Sequence, residues 1–166
     1  MHREWDDERI TAFGMLLEAY AAVVGNVSRD LDATSDLALS SLGILLRLAR
    51  SPDRRLRMTE LAAQAALSTS GLTRLVDRLE EVGYLRREAC ASDRRSSLAV
   101  LTDQGAEVLV KAVPGHLDSL ERNVAGPLGA EGVQQLTAML EVLRDSARRG
   151  PAPAAPSFWT RPSTSP

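Results

Sequence analysis

Residues 69–82, TSGLTRLVDRLEEV, leave the backbone little choice. Leu72, Leu75, Val76, Leu79 and Val82 recur at three- and four-residue spacing, which predicts a helix apolar on one face. Thr69, Ser70, Thr73, Arg74, Asp77 and Arg78 fall on the other face. Ser68 stands where its hydroxyl can accept from the free amides of the first turn, and Gly83 breaks the helix at the far end. Upstream, Thr59 is the expected N-cap of a shorter helix over Glu60–Ala66, and Leu67-Ser68-Thr69 is the tight connection. The order is short helix, brief turn, longer helix.

After Gly83 the period changes. Tyr84-Leu85-Arg86-Arg87 and Leu98-Ala99-Val100-Leu101 read as two short strands, with Asp93-Arg94-Arg95 at the tip of the polar loop between them. A helix pair followed by a hairpin is the winged helix-turn-helix arrangement. Its physics suits double-stranded DNA. A helix fits the major groove, and Thr, Ser and Arg side chains near its N-terminus reach base edges. An arginine on the hairpin meets a narrow minor groove of strongly negative potential. Asp93 is expected to hold Arg94 or Arg95 extended, lowering the ordering cost on binding.

The flanks are helical. Ile10, Phe13, Leu17, Tyr20, Val24 and Val27 predict a helix over Asp6–Asp30, roughly 35 Å long. Leu37–Arg50 forms a second helix, ended by Pro52. Thr102 caps another, which Pro114-Gly115 should kink or interrupt before it resumes through Leu117, Leu120 and Val124. Gly126-Pro127 marks a turn, and the last helix runs from about Glu131 to Arg148. The expected fold class is therefore mainly α with a small β-hairpin wing. Residues 6–32 and 103–149 form a helical dimerisation region and 35–102 a DNA-binding lobe. Residues 150–166, rich in Pro, Ala and Ser, form a disordered tail. One apolar stripe on each terminal helix points to pairing across a two-fold axis.

Charge is distributed unevenly. The net charge is −2, yet residues 50–95 hold ten arginines against seven acids, and the remainder nets −5. A basic middle between acidic flanks fits a polyanion partner better than the total suggests. Cys90 is the only cysteine, so no intrachain disulfide and no cysteine-based zinc site is available. It reads as a space-filler more readily than as a redox sensor tuned by the neighbouring arginines. No apolar run approaches the roughly 18 residues of a membrane span, and the charged MHREWDDERI start lacks a signal-peptide core. A cytoplasmic location is expected.

Catalysis finds no support. The histidines are His2 and His116 alone, no metal-ligand cluster is visible, and no Gly-rich phosphate loop follows a strand. We therefore expect no enzyme, metal or cofactor. Phe13, Tyr20 and His116 are the candidate walls of a small-molecule pocket, although helix packing and turn capping use the same residue types. Phe158-Trp159 in the tail has no evident partner.

The segments LALSSLGILLRL (37–48), MTELAAQAALSTSGLTRLVDRLEEVGYLRR (58–87) and SDRRSSLAVLTDQG (92–105) resemble MarR-family transcriptional regulators, over roughly Ile10 to Arg148. The wing is similar to that of the SlyA branch. The resemblance implies a homodimer on a pseudo-palindromic operator, acting as a repressor and released by a small aromatic or phenolic ligand. It places Ser68, Thr69, Ser70, Thr73 and Arg74 on the recognition helix and Asp93, Arg94 and Arg95 in the wing. Ala38 and Ser41, at the usually polar positions at the start of the second helix, and Gly71, within the first turn of the recognition helix where a Cβ-bearing residue is commoner, depart from the pattern. The alternatives are a helical protein-interaction module and a non-specific architectural DNA-binding protein.

Overall fold

The computed structural model describes the backbone of residues 4–90 and 93–147 and the side chains of 5–90 and 97–147. The tail expected over 150–166 lies outside the described residues. Helix α1 (Glu8–Thr34) is 27 residues long, about 40 Å, and starts at Asp7, whose carboxylate accepts from the Arg9 N–H at 2.8 Å. Helix α2 (Leu39–Ala49) follows, then strand β1 (Arg55–Arg57) and helix α3 (Met58–Ala65). Helix α4 (Thr69–Glu81) leads into strands β2 (Leu85–Cys90) and β3 (Asp93–Leu101). Helix α5 (Asp103–Leu120), a π-helical turn at Glu121–Ala125 and helix α6 (Gly126–Ala147) complete the described chain.

The three strands form one antiparallel sheet in the order β1-β3-β2. Leu42, Ile44, Leu45 and Leu48 of α2 occupy the centre of the core, with Leu61 of α3 and Leu72, Leu75, Val76 and Leu79 of α4 around them. Leu85, Ala99 and Leu101 close it from the sheet, and Leu109 and Ala112 of α5 from the other side. Two glycines make the junctions. Gly83, at φ +77°, ends α4 and lets the Tyr84 N–H reach back to the Leu79 carbonyl at 2.9 Å. A Cβ on Gly105 would lie 2.0 Å from the Tyr84 carbonyl oxygen, so only glycine lets α5 start against the sheet.

Several expectations need correction. Thr59 lies inside α3 instead of capping it; Arg57 is the N-cap residue, and its backbone N–H donates to Glu60 Oε2 at 3.2 Å. Val82 is half exposed, because α4 ends one residue earlier and the chain turns away. The hairpin strands are longer than expected, reaching Cys90 and starting again at Asp93. Pro114 does not interrupt α5. Its missing donor would have served Val110, which lies on the exposed side, where water can satisfy the freed carbonyl. Nor is Gly126-Pro127 a turn: the helical path breaks at Gly129 (φ +66°, ψ 172°). Finally, α1 is long and apolar enough, by length and composition, to cross a membrane. Between Ile10 and Val27 only Glu18 is charged, and Ile10, Phe13, Met15, Leu16, Leu17, Val23, Val24 and Val27 supply that character across a run interrupted by polar residues.

Candidate nucleic-acid interface

Helix α4 presents one polar face. Thr69, Ser70, Thr73, Arg74, Asp77 and Arg78 are all exposed, while the four apolar residues behind them are buried. Ser68 holds the N-terminus, its Oγ accepting from the Gly71 N–H at 3.1 Å. A Cβ on Gly71 would sit 3.1 Å from that same oxygen, so the glycine that departs from the family pattern leaves the cap uncrowded. Thr73 donates its hydroxyl proton to the Thr69 carbonyl at 2.8 Å and keeps its lone pairs for an outside donor. Arg74 and Arg78 enter no ion pair among the described residues.

The wing follows with an irregular ladder. Pairing runs from Leu85↔Leu101 to Ala89↔Ser97 and then jumps to Cys90↔Asp93. Arg94, Arg95 and Ser96 are thus extra residues on β3, a bulge of the kind that redirects side chains at a strand end. Both arginines therefore sit on β3 beside the tip rather than at it. Whether Asp93 orients one of them turns on side chains outside the described residues. Cys90 is buried, the position of a packing residue.

Arg87 was not singled out in the sequence, yet it joins the two parts. From β2 its guanidinium donates to Asp77 Oδ1 at 2.6 Å and to Glu80 Oε2, and its backbone N–H donates to Glu80 Oε1 at 2.7 Å. Burial works against its charge, but the bonds to the two carboxylates outweigh that and raise its pKa above the ordinary arginine value. The signal was available: two acids three residues apart on the helix, then an arginine in the following strand.

The candidate ligand residues do not gather. A cavity of about 420 Å³ opens between α1, α2 and the end of α3, lined among others by Tyr20, Val24, Ser40, Ile44, Arg47 and Leu67. Tyr20 is therefore at the cavity. Phe13 lies two turns earlier on α1, exposed, and His116 is half-buried on α5; neither lines it. Burial pulls the His116 pKa below the ordinary imidazole value, and its Nδ1 is buried with no hydrogen-bond partner among the described residues. Arg47, missed in the sequence, reaches Gly43 O at 2.7 Å and Gln64 O at 3.1 Å, and burial lowers its pKa from the usual arginine value.

These features have counterparts in known proteins. The family model described as MarR family matches residues 35–96. The HTH-type transcriptional regulator PecS of Dickeya dadantii (strain 3937) is 38% identical over 74 residues, covering 45% of this chain and 44% of that one. The chain thus spans less than half the length of that curated relative. Among solved structures, Sco3205, a MarR family transcriptional regulator from Streptomyces coelicolor in complex with DNA, is 35% identical, with a TM-score of 0.81 over 92% of this chain and 96% of that one. AbsC, a MarR family transcriptional regulator from the same organism, is 31% identical, with a TM-score of 0.78 over 88% of this chain and 99% of that one. With a shared winged-helix fold and identity above 30% along nearly the full length of both solved relatives, this chain belongs to the MarR family of DNA-binding transcriptional regulators.

Proposed function

We propose that the chain acts as a homodimeric repressor that reads a pseudo-palindromic operator in the cytoplasm, where the DNA is. The observation that carries this reading is the polar face of α4 followed by a bulged wing with two adjacent arginines. Ser68, Thr69, Ser70, Thr73 and Arg74 take the major groove, with Arg78 on the phosphates, and Arg94 or Arg95 enters the minor groove. Residues 35–102 form the DNA-binding lobe, and 6–32 with 103–149 the dimerisation region.

The terminal helices support the dimer. Helix α6 buries none of its residues, and Leu136, Met139, Leu140 and Leu143 are exposed on it. Ile10, Phe13, Leu17 and Tyr20 form a similar exposed stripe on α1. An apolar arm of this kind finds its partner in a second copy. The same pairing accounts for the membrane-like composition of α1.

A small effector that lowers DNA affinity belongs to the same reading. The cavity at Tyr20 has the volume of a ligand site. Arg47, the one charged residue among the described residues lining it, favours an aromatic carboxylate or phenolate. It also holds the Gln64 carbonyl, three residues before the connection into α4. Phe13 and His116 are not assigned to this site.

A band-shift titration against the gene's own upstream region, at several salt concentrations, tests the proposal. Discrete complexes that weaken steeply with salt are expected. No binding at low salt would leave a protein-interaction module, and equal binding to random DNA an architectural protein. Repeating the titration with a panel of phenols and aromatic carboxylates tests release, which Arg47→Met should abolish. A monomeric mass at micromolar concentration removes the dimer.

A further inference from the structure

The Arg87 contacts exceed what stability explains. Its side chain, about one quarter exposed, reaches Asp77 and Glu80 on successive turns of α4, and its Nη2 lies 3.5 Å from the carbonyl of Thr73, one turn earlier. Residues 73, 77 and 80 lie along one side of that helix, Thr73 and Asp77 on the exposed polar face and half-buried Glu80 at its border with the buried stripe. Partly exposed ion pairs contribute roughly 0–1 kcal/mol each, a small return for immobilising an arginine and two carboxylates. Their geometric consequence is larger. Arg87 pairs with Ala99 in the β2–β3 ladder, and the regular ladder ends two residues later, at Ala89↔Ser97, where the Arg94–Ser96 bulge begins. The clamp therefore sits between the recognition helix and the base of the bulge.

We propose that Arg87 is a positioning residue that fixes the offset between the recognition helix and the wing, so that the two reach their adjacent grooves together. The inference rests on the operator-binding reading above. Arg87 itself touches no DNA. Its guanidinium is occupied by Asp77 and Glu80, and the bidentate fork is what a point charge cannot reproduce. Without the clamp the wing samples other angles, and each binding event must first restore the correct one.

The test is a double-mutant cycle on the operator duplex mapped by footprinting. It uses the full-length chain, Arg87→Met, the Arg94→Ala/Arg95→Ala variant, and the combination of all three. Arg87→Met should weaken operator binding about tenfold in the parent and less than about twofold once the wing arginines are gone, because the clamp acts through them. Arg87→Lys, which keeps the charge and loses the fork, should fall between. If Arg87→Met fails to fold as a dimer, the Arg87→Lys cycle carries the same test. The slope of log affinity against log salt should match the parent; a slope lower by about one would make Arg87 a phosphate contact and overturn the proposal. Equal losses in both backgrounds also overturn it, with operator binding by the parent intact. Failure of the parent to prefer the operator would overturn the operator reading and this inference together.

Discussion

The Thr102 hydroxyl donates a 2.6 Å hydrogen bond to the Gly83 carbonyl while its oxygen accepts from the Gly105 N–H at 3.0 Å. One side chain thereby ties the end of α4 to the start of α5. Removing it costs both a helix cap and a tertiary bond. Thr102→Val should lower unfolding stability by about 1–2 kcal/mol. Gly105→Ala should cost more, since its Cβ would meet the Tyr84 carbonyl backbone with no flexible group to yield. Urea denaturation measures both, and the order Gly105→Ala worse than Thr102→Val is the specific expectation.

Ala66 closes α3 at φ +53°, in the left-handed region that disfavours a Cβ. Ala66→Gly should therefore stabilise the fold, by about 0.5–1 kcal/mol after the extra unfolded-state entropy of glycine is counted. A lower thermal midpoint in the variant would contradict this.

Stability should fall on the acid side in two steps. Asp30 of α1 accepts from Ser119 Oγ at 2.6 Å and from Arg122 at 2.9 Å, and these bonds lower its pKa below the usual 3.8. A carboxylate depressed in the folded state adds stability that is full above 3.8 and is lost as pH falls through the folded value. His116, depressed from 6.5 by burial, follows the same sign: its contribution is full above 6.5 and declines as pH falls through its folded value. Urea midpoints from pH 8 to pH 3 should show both steps. Asp30→Asn should shrink the lower one, which Asp7, also depressed by its bonds to Arg9, shares, and His116→Gln should remove the upper one; unchanged profiles would refute the assignment.

On the recognition face, Arg74→Ala should reduce operator affinity by about 1–3 kcal/mol and relax the preference at one base position, with the dimer unchanged. Arg78→Ala should weaken all sequences alike and lower the salt slope by about one. Anisotropy titrations with operator and scrambled duplexes separate the two behaviours. Swapped outcomes would exchange the two roles.

The helices were legible where period and punctuation agreed. Leu72, Leu75, Val76 and Leu79 give the buried face of α4, and Ser68, Gly83 and Thr102 mark ends by local chemistry alone. Strand β1 was not legible: Arg55-Leu56-Arg57 is too short for a period, and its partners, Leu98–Val100, lie some forty residues away. The cap at α3 was misread because Thr59 has the better side chain, while Glu60 supplies the bond by folding back on Arg57. The site divided in the same way. The face of α4 followed from helical geometry, whereas Arg87 and Arg47 owe their roles to residues on other elements. Phe13, Tyr20 and His116 were grouped by residue type, which carries no information on distance, and only Tyr20 reached the cavity.

The central claim is sequence-specific recognition of DNA by this winged helix. A competition titration of the full chain at physiological salt, operator duplex against random duplex of equal length, addresses it directly. The account predicts at least about a thousandfold preference for the operator. Equal affinity for the two duplexes would contradict it.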